Sequence, residues 1–174
     1  LITSNKGTIF HLIDGFLRIL IFVIYVYIIS KFKDVKEVFC YHGAEHKSVN
    51  CFENKKALNV KNCKEFTTVH NRCGTTFMML VLMISIIVFS IFKLDTILHQ
   101  FAIRIIFIPI IASVSYELIK LGSKHDKNPI TKILLFPGLL IQKITTSEPT
   151  DEQIEVAIHS IKKVLKANKI HCKK

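Results

Sequence analysis

The chain has 174 residues, enough for one domain, and half of them are apolar. Lys and Arg total 24 against 13 Asp and Glu, a net charge of +11. The apolar content excludes a disordered chain, five cysteines in a chain this long argue against a disulfide-stapled mini-protein, and 6 glycines without an internal period exclude collagen and repeat classes.

The charges are segregated rather than spread, which leaves a small integral membrane protein with basic water-facing parts. Residue 1 is Leu, and a hydrophobic stretch begins within ten residues without a signal-peptide cleavage site. A processed or truncated chain that lacks an N-terminal region is the expectation. The first expected span is Ile9–Ile29, about 31 Å long as a helix. Asp14 and Arg18 lie four apart within it and can pair. With Arg104 they read as a buried ion network, a transport path being the alternative.

The second expected span, Thr75–Phe92, is 18 residues without a charge. Gly74 ends what precedes it, and Thr75 or Thr76 can cap its first amides. Lys93–Thr96 is a tight polar link. The third span is Ile97–Leu121, with Pro109 expected to kink it. Ile130–Thr145 is apolar, interrupted by Pro137-Gly138, and too short to cross unbroken; it reads as interfacial or re-entrant. Thr150 and Gln153 form a capping box. After it, Ile154, Ala157, Ile158, Ile161 and Leu165 form one apolar stripe at helical spacing. This amphipathic helix either packs on the loop domain or lies on the membrane.

Nine Lys/Arg fall in the loop 31–74 and eleven in the tail from Lys120, against Lys93 alone in the link. The positive-inside rule puts loop and tail in the cytoplasm and the link outside. The expected fold is therefore mostly α: one polytopic helical membrane domain over residues 1–174, multi-pass in the cell membrane. It has a cytoplasmic helical loop at 31–74 and a cytoplasmic tail at 122–174 that ends in an amphipathic helix. Juxtamembrane lysines serve topology and anionic lipid. The lipid bilayer is the expected partner, and no zinc-finger, RRM or helix-turn-helix signature points to nucleic acid.

The loop carries Tyr41-His42-Gly43-Ala44-Glu45-His46-Lys47. Val35, Val38, Phe39, His42, His46 and Val49 recur at helical spacing, predicting a helix with both histidines on its inner face. Imidazoles four apart can converge on one metal ion. H-x-x-E-H is the inverted zinc-protease pattern, with Glu45 as the carboxylate that takes a proton from metal-bound water. His70 and Cys73 follow just before the second span and can join the site. All five cysteines are expected in a reducing cytoplasm, so metal binding or packing is favoured over disulfides. His42, His46, His70 and Cys73 are ligands of the kind zinc takes. Arg72 could hold an anionic substrate group or anchor at headgroups. Glu117, near the cytoplasmic end of span three, could complete a His-His-Glu site or simply pair with Lys120.

These residues resemble a known family. Tyr41 to Lys47, His70-x-Arg72-Cys73-Gly74-Thr75, Ser115-Tyr116-Glu117, Pro137-Gly138, Thr145-Thr146-x-Glu148-Pro149 and Ile154-Glu155-Val156-Ala157 are similar, in order, to the YqhQ-type bacterial membrane proteins. That family is known as a domain of unknown function and carries the label of a predicted metal-dependent enzyme. Its members usually have a further N-terminal region with a Gly-rich segment. Asn71 stands where the family usually has Pro, and Ser48 where Thr is common; neither change removes a candidate ligand.

The expected function is a metal-dependent, hydrolase-like membrane enzyme with a divalent metal, zinc by its ligand set. His42 and His46 ligate it, His70, Cys73 or Glu117 add a third ligand, and Glu45 activates water on a membrane-embedded or membrane-proximal substrate. The alternative is a non-catalytic, metal-stabilised scaffold or regulatory protein. Three protein ligands plus water favour the enzyme, and four closed ligands favour the scaffold. A transporter is disfavoured, because span two holds only Ser85 and Ser90 as polar residues in its middle and end.

Overall fold

In the computed structural model, residues 8–91, 96–125 and 128–167 are described. Seven helices run in chain order: α1 (Thr8–Ile29), α2 (Lys33–Glu53), α3 (Val60–Lys64), α4 (Gly74–Ile91), α5 (Ile97–Lys124), α6 (Pro129–Thr145) and α7 (Asp151–Ala167). The described residues contain no strand. The mostly helical reading holds, and α1, α4 and α5 match the three expected spans to within a few residues. By length and composition α4 and α5 are apolar enough to cross a membrane, and a third span results if α1 from Ile13 and α2 count as one bent pair. The link expected at Lys93–Thr96 lies, except for Thr96, outside the described residues.

The chain forms two compact units: Leu1–Tyr25 with Asn71–Gly138, and Val26–His70 with Leu139–Lys174. In the first, α4 packs on α5. Gly15 of α1 lies so close to α4 that a Cβ there would collide with Ile86. Arg18 Nε donates to Asp14 at 2.8 Å, but both side chains are exposed, and Arg104 stacks over Phe89 at 6.0 Å. The expected buried ion network is thus an exposed helix pair and a separate cation–π contact. α5 runs through Pro109, and Ser113 Oγ donates to the Pro109 carbonyl at 2.8 Å.

α6 also differs from expectation, because the helix continues through Pro137. The glycine is there for packing. A Cβ on Gly138 would lie 2.7 Å from Thr76 Cα, so the two backbones approach too closely for a side chain. The loss of one amide at Pro137 is tolerated because the helix is anchored on both sides of it. Thr131 Oγ1 donates to the His125 and Asn128 carbonyls near one end, and Gln142 is fully buried near the other.

In the second unit, α7 packs along α2. The capping box forms: Thr150 N donates to Gln153 Oε1 at 2.9 Å, and Gln153 N to Thr150 Oγ1 at 3.4 Å. Ile154, Ile158 and Leu165 of the expected stripe are buried. Of the two expected seats for this helix, the structure has the loop domain. Ile154 and Ile158 form one core with Ala44, Cys51 and Cys63, joined by Leu58, Val60 and Phe66. This shifts the buried face of α2. Val38, expected inside, is exposed; His46 is buried as expected, and Gly43, Ala44, Lys47, Ser48 and Cys51 are buried with it. α2 stops at Asn54, after which Lys55 takes a left-handed conformation, φ 58°.

Candidate metal centre

His42 and His46 stand one turn apart on α2, as their spacing requires, with ring centroids 4.3 Å apart in an edge-on arrangement. Each ring is held by a main-chain carbonyl. His42 Nδ1 donates to the Thr145 carbonyl at 2.8 Å, and His46 Nδ1 donates to the Thr68 carbonyl at 2.6 Å. A carbonyl only accepts, so both Nδ1 atoms carry a proton, and the lone pair of each ring in its neutral form is on Nε2. Metal-binding histidines are oriented this way, the second nitrogen fixing tautomer and ring angle.

Two segments deliver those carbonyls. Residues 145–151 cross α2 as a strap. Ser147 N donates to the Phe39 carbonyl at 2.9 Å, and Glu148 pairs with Lys47 Nζ at 2.6 Å. Lys64 pairs with Asp151 at 2.5 Å. The strap fits because residue 43 is glycine: a Cβ there would overlap the Ser147 carbonyl. Lys47 is almost fully buried, its ammonium also donating to the Lys64 carbonyl at 3.3 Å. The second segment, 67–70, is held against α2 by side chains. Asn50 Nδ2 donates to the Thr67 and Val69 carbonyls at 3.1 and 3.0 Å.

Cys73 is buried at the start of α4 and serves as its cap: Thr75 N donates to Cys73 Sγ at 3.3 Å. Thr75 and Thr76 were the expected caps. The thiol holds the position because the helix begins one residue earlier, at Gly74. A thiolate there would sit at the positive end of the helix dipole. His42, His46 and Cys73 form a group that could hold a metal ion: each offers one ligand atom, and these atoms lie within 4.8 Å of one another. Two imidazole nitrogens and a sulfur suit zinc chemically.

The other candidate residues are placed differently. The His70 ring lies 5.8 Å from that of His46, and its Nε2 meets Glu53 at 3.1 Å, outside the three-residue group. Glu117 is exposed on α5 and pairs with Lys120 at 3.3 Å, which is the simple pairing weighed for it. Glu45 is exposed on α2, between the two histidines in sequence. Arg72 is exposed, one residue before the buried Cys73. Sequence reasoning missed Gln142, Glu53 and the Lys47–Glu148 pair. Gln142 left a signal, as a lone amide inside the apolar run 130–145.

The profile of a family described as "Protein of unknown function (DUF1385)" matches residues 1–167. The chain belongs to that family. Among curated proteins, this DUF1385 chain is 34% identical over 154 residues to the uncharacterized protein YqhQ of Bacillus subtilis (strain 168). The match covers 88% of the chain and 48% of that relative, so the chain spans about half the relative's length. No solved structure matches. The resemblance drawn from the motifs therefore holds at the level of the family.

Proposed function

We propose that this DUF1385 chain is a membrane protein that binds a divalent metal, zinc by its ligand set, through His42 Nε2, His46 Nε2 and the Cys73 thiolate. The observation that carries the proposal is the grouping of one ligand atom from each of these three residues within 4.8 Å. The two carbonyl-anchored imidazoles support it, since such anchoring fixes a ring for ligation. Three protein ligands leave a position for water or substrate, the mark of catalytic rather than structural zinc. The reading we favour is therefore a metal-dependent hydrolase in which the ion lowers the pKa of a bound water. Glu45 is the proposed proton acceptor and Arg72 the proposed contact for an anionic substrate group.

The membrane location rests on α4 and α5, long and apolar enough to cross, and on the apolar side chains that α1 and α5 leave exposed, such as Phe16, Ile21, Phe101 and Ile105. The Lys/Arg surplus of loop and tail supports a cytoplasmic site. Cysteine labelling from outside intact cells then reaches a cysteine placed at Asp95 but none placed at Lys56 or Lys163. Reaction at Lys56 would invert the topology.

Metal content tests the site. Purified chain should carry close to one equivalent of metal, and His42→Ala, His46→Ala and Cys73→Ser should each lose it. Glu45→Gln should keep the metal and fail to complement a deletion strain, because a positioned base contributes roughly 10²–10⁴-fold. Full complementation by Glu45→Gln would leave the metal-stabilised scaffold as the better reading. A wild-type chain without metal would end both.

A further inference from the structure

Residues 67–70 have no regular secondary structure, so their backbone groups need other partners. All four consecutive carbonyls find side-chain donors. Asn50 serves Thr67 and Val69, His46 serves Thr68, and Gln142 serves His70. The Gln142 amide is distinctive because it works in both directions. Its Oε1 accepts from His70 N at 2.9 Å, and its Nε2 donates to the His70 carbonyl at 2.9 Å. Residue 70 offers one donor and one acceptor, so the amide can close both bonds in one orientation only. Gln142 is fully buried, on α6, 72 residues away in sequence.

A buried amide among apolar neighbours is stabilising only while its bonds are made. This one is bonded to the segment that carries the acceptor for His46. The residue that follows α6 reaches that segment again, where Thr146 Oγ1 donates to Thr68 Oγ1 at 3.3 Å. If the bracket on residue 70 is lost, its N–H and carbonyl must find water and the segment lifts from α6. The Thr68 carbonyl then drifts from His46 Nδ1, and the ring is free to rotate or to change tautomer.

We propose that Gln142 is a positioning residue of the metal site, its amide clamping the backbone of residue 70 so that the Thr68 carbonyl holds the His46 ring with Nε2 toward the ion. This rests on the metal-binding reading of His42, His46 and Cys73. It goes beyond that reading by assigning a role to a residue outside the ligand set.

The test uses the purified chain in detergent, with cobalt(II) as a spectroscopic substitute for zinc, and compares wild type, Gln142→Met and Ile154→Val. Ile154→Val weakens the α2–α7 core without touching the bracket. Outer partners of a metal ligand are typically worth 10–100-fold in affinity. Gln142→Met should therefore bind cobalt about 10–100-fold more weakly, with helix content unchanged. Ile154→Val should lose stability but stay within about two-fold of wild type in affinity, because its effect is confined to packing. Before cobalt is added, the hydrogen-bonded Nδ1 proton of His46, assigned by its disappearance in His46→Ala, should be visible by NMR in wild type and lost in Gln142→Met. Unchanged affinity together with a retained His46 proton signal would overturn the proposal. So would an equal loss of affinity in Ile154→Val. If wild type itself takes up no cobalt, the metal reading fails, and the clamp is decided by the proton signal alone. Should Gln142→Met not fold, Gln142→Glu keeps volume and acceptor but cannot donate to the His70 carbonyl when ionised; wild-type affinity and proton signal there would equally overturn the clamp.

Discussion

Replacing Gly43 with alanine should destabilise the chain, although the same change in an open helix stabilises it. In a helix interior alanine is favoured over glycine by about 1 kcal/mol. Gly43 sits inside α2, so propensity alone predicts a gain. The strap reverses the sign. An alanine Cβ would overlap the Ser147 carbonyl oxygen and lie 3.3 Å from both Ser147 C and Thr68 Cγ2. The carbonyl must retreat by roughly 1 Å to reach ordinary van der Waals distance. Its retreat strains the Ser147 N–H bond to Phe39, made at 2.9 Å, and the Lys47–Glu148 pair beside it. Overpacking costs about 1–3 kcal/mol and a weakened hydrogen bond about 0.5–1.5 kcal/mol. Set against the propensity gain, the net loss is about 1–3 kcal/mol.

The assay is reversible unfolding of the purified chain in mixed detergent, followed by helical circular dichroism. Gly74→Ala is the matched control, because a Cβ there meets nothing within 4 Å. The same displacement reaches the candidate metal centre, since Thr145 is two residues from Ser147 and its carbonyl holds His42. Metal affinity in Gly43→Ala should therefore fall by about ten-fold. A Gly43→Ala chain as stable as wild type or more so, with full affinity, would refute the reasoning that the strap excludes a side chain at this position.

Ser48→Ala should be neutral or stabilise by up to about 1 kcal/mol in the same assay, because the Ser48 hydroxyl is buried without a hydrogen-bond partner. Glu148→Ala should destabilise by about 1–3 kcal/mol by leaving the Lys47 ammonium, 5% exposed, without its counter-charge, and Lys47→Met with Glu148→Ala should recover part of the loss. Burial, and then the neighbouring Cys63 thiol, push the Cys51 thiol up from 9.0 to about 12. Its contribution to stability is thus complete below pH 9 and declines as pH rises from about 9 to about 12, because the unfolded chain releases that proton first. Unfolding midpoints across that range should fall less steeply in Cys51→Ala, and iodoacetamide at pH 8 should leave Cys51 of the folded chain unmodified.

What was legible in the sequence is what adjacent residues decide among themselves. The Thr150–Gln153 capping box, the α7 stripe and the i, i+4 placement of His42 and His46 all depend on spacings of three or four residues, and all three appear in the structure. The buried face of α2 was misjudged at Val38 because periodicity reports that a helix has an apolar side, not which neighbour covers it. Once α7 takes Ala44 and Cys51 as its seat, Val38 is left facing outward, while His46 of the same stripe stays buried. Lys47 was counted among the basic residues that orient the loop. Its burial depends on Glu148, far along the chain. Pro137-Gly138 read as a break because both residues disfavour helices locally, whereas the close approach of Thr76 gives the glycine its reason. Glu53 pairing with His70 and Gln142 clamping its backbone arise from separations of 17 and 72 residues, beyond any local pattern.

The two carbonyls that steer the imidazoles both follow them in the chain, at very different distances, Thr68 lying 22 residues after His46 and Thr145 lying 103 residues after His42. A ribosome that has released α2 has therefore made both histidines long before it makes the group that aims the first of them. A nascent chain ending before residue 145 would present His42 and His46 on a helix with one imidazole unsteered, so it should take up metal weakly and with little selectivity. On the proposed metal-binding reading, tight loading would await the docking of the α6 end and the strap, a late step in maturation. Metal occupancy would then report that the C-terminal third of the chain has found its place, and ion uptake would serve as a checkpoint on assembly.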